Sequence, residues 1–142
     1  MATASVQHEF DLPVDALWDL VGTFGNMSKW TGLPPETCVS DGEEVGAIRT
    51  LSLPNGGTII DRLDAKSEYS YSYSITNMEE APLPFSSYKA TLAVQPLSDT
   101  RSRLDWGGEF TPDQMTEAET VAFAQNMYQR GLDMMIRAAA NL

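Results

Sequence analysis

The chain has 142 residues, 42% of them hydrophobic and 20% charged, a composition that predicts one globular domain with a sizeable core and not a disordered chain. Its 9 Lys and Arg against 20 Asp and Glu leave a net charge of −11, with the acids spread along the whole length, so phosphate backbones and anionic membrane surfaces are excluded as partners. The single cysteine, Cys38, and the single histidine, His8, exclude an internal disulfide and a Cys- or His-rich metal centre. No metal and no cofactor is expected. Met1 to Phe10 lacks the basic start and apolar core of a secretion signal, and no apolar run approaches the ~18 residues that span a bilayer. The expectation is a cytoplasmic protein, a monomer or weak homodimer.

Thr3 to Phe10 alternates, with Val6, His8 and Phe10 on one face, which predicts a half-buried strand. Pro13 then suits a first helical turn, and Val14, Leu17, Trp18 and Val21 recur at helical spacing up to Gly22. A second short helix or tight turn is expected over Phe24 to Trp30. From Glu36 to Phe110 the pattern changes to strands: Glu36–Ser40, Gly46–Leu53, Thr58–Lys66, Tyr69–Thr76, Ser86–Pro96 and Arg101–Phe110. Asn55, Gly56 and Gly57 form a strong hairpin signal because they accept positive φ. Glu68 to Ile75 alternates without a fault, three tyrosines and Ile75 against serines. Thr116 to Glu119 fits a capping box opening a helix of about 24 residues, with one apolar stripe running from Val121 through Met127, Tyr128 and Met135 to Ala139.

The predicted class is α+β: a seven-stranded antiparallel sheet wrapped around a long carboxy-terminal helix, with two short helices after the first strand. Only that last helix is long enough to cover the sheet's apolar face. Such a grip leaves a cavity between sheet and helix unless large side chains fill it.

Several elements in this order resemble the START/Bet v 1-like superfamily, in particular its bacterial polyketide cyclase/dehydrase-like branch. They are Leu12-Pro13 with Leu17-Trp18, Phe24-Gly25 leading to Trp30, and Gly46 to Thr50 around Arg49. Further on come Gly56-Gly57, then Asp61-Arg62-Leu63, Pro82-Leu83-Pro84 before Tyr88, Trp106 with Phe110, and Gly131-Leu132. Asp61 stands where the common pattern carries Glu. The resemblance implies a helix-grip fold with a deep ligand cavity, in a superfamily of lipid carriers, hormone receptors and cyclases. It also places gating loops in stretches comparable to Gly25–Pro35, Pro54–Gly57 and Ala81–Pro84; Trp30 and Phe85 flank two of them as candidate lids, and the three stretches are equally read as ordinary turns whose Gly and Pro set backbone angles.

The candidate site begins with Arg49 and Asp61. A turn that pairs Leu53 with Gly57 sets Arg49 opposite Asp61 and Leu51 opposite Ile59, on the face that also carries Ala47 and Leu63. A guanidinium on an apolar face needs a paired carboxylate. Either Arg49 offers spare donors to a ligand carbonyl or carboxylate while Asp61 orients it, or the two form a structural ion pair. Tyr69, Tyr71, Tyr73 and Tyr88 can grip an aromatic ligand, donate to its oxygens or act as acids, or simply fill the core. His8 is a candidate base and equally a core histidine. Trp30 is expected at a cavity mouth. Phe24, Phe85 and Trp106 are candidate walls, and Met127, Tyr128, Gly131 and Met135 a candidate floor. Two functions fit these residues: binding of a small hydrophobic or aromatic ligand, and cofactor-independent cyclase or dehydratase chemistry on a polyketide-like carbonyl compound.

Overall fold

A computed structural model describes all 142 residues. The alternating segments pair as strands β1 (Ala2–Phe10), β2 (Cys38–Ser40), β3 (Ile48–Ser52), β4 (Thr58–Ser67), β5 (Ser70–Ile75), β6 (Phe85–Pro96) and β7 (Ser102–Pro112). They make one antiparallel sheet in the order β1-β7-β6-β5-β4-β3-β2, so consecutive strands are neighbours except where β1 closes onto β7. Helices α1 (Val14–Val21) and α2 (Ser28–Thr31) follow the first strand, and α3 (Glu117–Ala140) ends the chain. The expected architecture is present. No helix is long and apolar enough to cross a membrane.

Local chemistry explains the element ends. Thr116 accepts from the Glu119 amide while the Glu119 carboxylate accepts from the Thr116 amide, the full capping box at the start of α3. The third strand begins later than expected because Gly46 takes φ 97°, a turn conformation. The second is shortened to three residues because Pro35–Thr37 winds into a 3-10 turn, with proline at its first position. The short helix starts only at Ser28 and is stopped by Gly32 at φ 72°.

One face of the sheet is mostly apolar, with Arg49 and Asp61 set into it. Val6, Phe10, Leu63, Tyr71, Tyr73, Leu92, Leu104 and Phe110 are all buried and pack with Leu17, Val21, Tyr128, Leu132 and Met135 from the helices. The α3 helix lies against β1 and α2. It also closes the free edge of β1: the Gln125 amide donates to the Ser5 carbonyl at 2.6 Å and accepts from the Ser5 N–H at 3.2 Å, as a neighbouring strand would. An irregularity between Phe85 and Ser87 turns both Phe85 and Tyr88 inward from the same strand. These choices bring an arginine, a carboxylate and four tyrosines into one interior.

Candidate functional site

The β3–β4 hairpin closes with the Leu53 amide donating to the Gly57 carbonyl at 2.8 Å. That register puts Arg49 opposite Asp61 and Leu51 opposite Ile59, as the turn residues predict. Arg49 is 2% exposed and Asp61 1%. Arg49 donates from Nε at 2.9 Å and from Nη2 at 2.6 Å, both to the same carboxylate oxygen, Oδ2. Its Nη1 donates to the Phe24 carbonyl at 3.0 Å and to the Tyr71 hydroxyl at 3.3 Å. The guanidinium also lies 4.3 Å from the Phe24 ring centre and 5.0 Å from that of Tyr73, distances at which an aromatic face attracts a cation. The other carboxylate oxygen, Oδ1 of Asp61, is buried with no donor.

Charge states follow from this environment. Burial by itself lowers the Arg49 pKa; Tyr71, Asp61 and Tyr73 together outweigh it, and the guanidinium stays charged. Burial pushes the Asp61 carboxyl above its ordinary range, and Arg49 pulls it only part of the way back. Burial likewise raises Tyr71, Tyr73, Tyr88 and Tyr128, so all four hold their protons. Tyr73 accepts from the Trp106 indole N–H at 3.1 Å, and Tyr88 and Tyr128 share a short hydrogen bond. The Tyr73 hydroxyl also meets that of Tyr88, whereas Tyr71 has Arg49 as its one hydrogen-bond partner.

Several expectations are corrected. The interior around Arg49 is packed, not roomy: Phe24, Leu63, Phe85 and Tyr128 are each at most 1% exposed, which leaves no water-sized space beside them. Trp30 does not stand at a mouth or form a lid. It is 4% exposed and meets Trp106 edge-on at 6.0 Å. Phe85 is buried too, packed on Tyr88 and Phe110. Tyr69 lies half-buried in the turn before β5, where it packs against Trp18 of α1, as Tyr71 does, but stands outside the Arg49 cluster. Its hydroxyl donates to Asp15, a bond that pushes it up to about 12. His8 stands at the far edge of the sheet, edge-on to Phe10 at 4.8 Å, with no hydrogen bond to the Arg49 cluster. Depressions of about 260 and 320 Å³ indent the molecule along β6 and β7, and neither borders Arg49 or Asp61.

Residues 1–140 match the family model described as polyketide cyclase / dehydrase and lipid transport. The chain belongs to that family. Similar solved structures confirm the fold: the protein XoxI from Bacillus cereus is 31% identical, with a TM-score of 0.84 over 99% of this chain and 96% of that one. Norcoclaurine synthase from Thalictrum flavum, in complex with dopamine and hydroxybenzaldehyde, is 16% identical, with a TM-score of 0.65 over 99% of this chain and 86% of that one. A START superfamily protein from Mycobacterium smegmatis is 11% identical, with a TM-score of 0.66 over 97% and 94%. No curated protein matches the sequence. The polyketide cyclase/dehydrase branch of the resemblance is thereby shown by the family model and the helix-grip fold by the solved structures; the last two likenesses carry the fold alone.

Within this polyketide-cyclase-like fold, the structure gathers Arg49, Asp61, Tyr71, Tyr73 and Phe24 into one cluster, with Trp106 joined through Tyr73 and a Tyr88–Tyr128 pair deeper in. Trp106 is half-buried and lies directly on α3 where Gly131 has no side chain; a Cβ there would collide with the indole. Leu51, Ile59 and Met127 are also half-buried, and Met135 is enclosed. Sequence reasoning missed three contacts. They are the Phe24 carbonyl on Arg49, the Trp106–Tyr73 bond, and Glu43, whose carboxylate accepts from the Gly25 amide at 2.7 Å. A backbone acceptor leaves no signal in a sequence. The missing side chain at Gly108 did leave one: a Cβ there would lie 2.6 Å from the Tyr128 hydroxyl.

Proposed function

We propose that the chain, as a single ligand-binding domain, takes a small hydrophobic or aromatic ligand between the sheet and α3, with Arg49 and Asp61 as its polar anchor. One observation carries this reading: a buried charged pair sits in aromatic walls, and Oδ1 of its carboxylate has hydrogen-bonding capacity the protein leaves unused. A purely structural pair is better served by full satisfaction, since each buried polar atom left unpaired costs about 1–3 kcal/mol. Trp106 is the half-buried side chain joined to that cluster, through Tyr73. The Gly25–Pro35, Pro54–Gly57 and Ala81–Pro84 loops are the segments that would open for entry. Native mass spectrometry of the purified protein, followed by a thermal-shift panel of apolar and aromatic compounds, tests this. A bound small molecule, or a stabilising aromatic compound whose effect Arg49→Met abolishes, is the expected result. A panel without a stabilising member and a spectrum of bare protein overturn it.

A second reading, cofactor-independent cyclase or dehydratase chemistry, is favoured by one feature of the same cluster. The Asp61 carboxyl is raised by burial beside a permanent cation, the pairing expected of a proton carrier next to an oxyanion stabiliser. Asp61 and a tyrosine then move protons, Arg49 holds developing charge, and His8 has no part. Turnover of an aromatic polyketide surrogate that Asp61→Asn abolishes and His8→Ala spares is the expected pattern. Unchanged turnover in Asp61→Asn removes the assignment.

A further inference from the structure

We propose that this site selects a neutral ligand bringing a hydroxyl donor, a phenol or an enol, to Oδ1 of Asp61, and that it rejects carboxylates. The inference rests on the ligand-binding reading above and specifies its chemistry. A guanidinium has five N–H donors. Four of those of Arg49 are engaged: Nε and one on Nη2 by Asp61, and Nη1 by the Phe24 carbonyl and the Tyr71 hydroxyl. Arg49 is the one buried cation in the molecule, and Asp61 already neutralises it. A ligand carboxylate would enter with no free positive charge to meet it, beside an unpaired carboxylate oxygen, in a chain of net charge −11. The expectation that Arg49 presents its donors to a carboxylate therefore gives way.

Two kinds of unused capacity remain. Oδ1 of Asp61 lacks a donor. Tyr71 accepts from Arg49 and makes no other hydrogen bond, whereas Tyr73 accepts from Trp106 and also meets the Tyr88 hydroxyl. An ether or ketone oxygen answers only Tyr71 and leaves Oδ1 orphaned. A hydroxyl answers Oδ1 and still has lone pairs for a tyrosine proton, and the flat rings of Phe24, Tyr71 and Tyr73 suit an aromatic or conjugated carrier of that hydroxyl.

Calorimetric titration with 2-naphthol, 2-methoxynaphthalene and 2-naphthoate near neutral pH separates the possibilities on one scaffold. The expected result is that 2-naphthol binds at least about tenfold more tightly than its methyl ether, and that 2-naphthoate is the weakest of the three. Equal binding of naphthol and ether, or a preference for naphthoate, overturns the donor inference and leaves the ligand-binding reading intact. Failure of all three to bind overturns both. Asp61→Asn adds an independent arm. Arg49 holds the amide oxygen, the NH₂ takes the place of Oδ1, and an acceptor site becomes a donor site. The preference should then pass from 2-naphthol to 2-acetonaphthone, and an unchanged preference for naphthol shows that Asp61 is not the acceptor. Should that variant not fold, the wild-type comparison alone decides.

Discussion

At the scale of single residues, the Arg49–Asp61 pair governs both stability and pH response. Removing one partner strands the other in an apolar interior, so Arg49→Met should lower unfolding free energy by about 3–5 kcal/mol. The double variant Arg49→Met/Asp61→Leu should recover a good part of that loss, because no charge then remains buried. Chemical denaturation of both variants checks this, and equal losses would show that packing, not charge, dominates. The pH response has a definite sign. Burial raises the Asp61 carboxyl in the folded chain, so the folded state holds that proton more tightly than the unfolded state, whose value is about 3.9. The contribution is complete below the unfolded pKa and is lost as pH rises through the folded one. Urea unfolding of wild type and Asp61→Asn at a series of pH values above the unfolded pKa should show wild type losing ground to the variant as pH increases. A difference independent of pH would remove the shift.

Among the elements, α3 concentrates three separable effects. Thr116→Ala deletes the hydroxyl that accepts from the Glu119 amide and should cost about 1 kcal/mol. Gly131→Ala opposes two terms: helix propensity gains ~1 kcal/mol from alanine, while the new Cβ strikes the Trp106 indole. Because Trp106 is held by Tyr73, Trp30 and Tyr128 as well, it has little freedom to yield, and net destabilisation with altered tryptophan fluorescence is expected. A stabilised variant with unchanged fluorescence would mean that the indole moves aside freely. Gly108→Ala tests the strand side of the same interface. Its Cβ would lie 2.5 Å from the Lys89 carbonyl and 2.6 Å from the Tyr128 hydroxyl, and such overpacking costs about 1–3 kcal/mol, read as a lower melting temperature.

For the whole molecule, the closed interior makes ligand entry a conformational event. Arg49 ties the Phe24 carbonyl to the sheet and Glu43 holds the Gly25 amide, so the Gly25–Pro35 segment is anchored at its start. Loops that open come from the less stable part of a fold. Saturating 2-naphthol should slow amide exchange in residues 25–35 and 81–85 and leave the turn at 95–101 unchanged. Uniform slowing in all three would assign the effect to global stabilisation.

Much of this protein was settled locally. Strand alternation, the Asn55–Gly57 turn, the capping box at Thr116 and the length of α3 depend on near neighbours, so they were legible in the sequence. The Arg49–Asp61 pairing was legible for the same reason, since a tight turn fixes which residues face each other across a hairpin. Alternation does not mark where the turn before β5 ends, so it could not show that Tyr69 would sit in that turn against Asp15. What tertiary structure alone decided is how the interior is filled. Phe24 arrives from a loop, Trp30 from the short helix α2, and Trp106 and Tyr73 from separate strands, while Tyr128 reaches Tyr88 across the grip. Their mutual closeness depends on sheet curvature and helix placement, which no local pattern encodes. Tertiary packing therefore turned an expected open cavity into an aromatic core around one buried ion pair, and left Oδ1 of Asp61 without a donor.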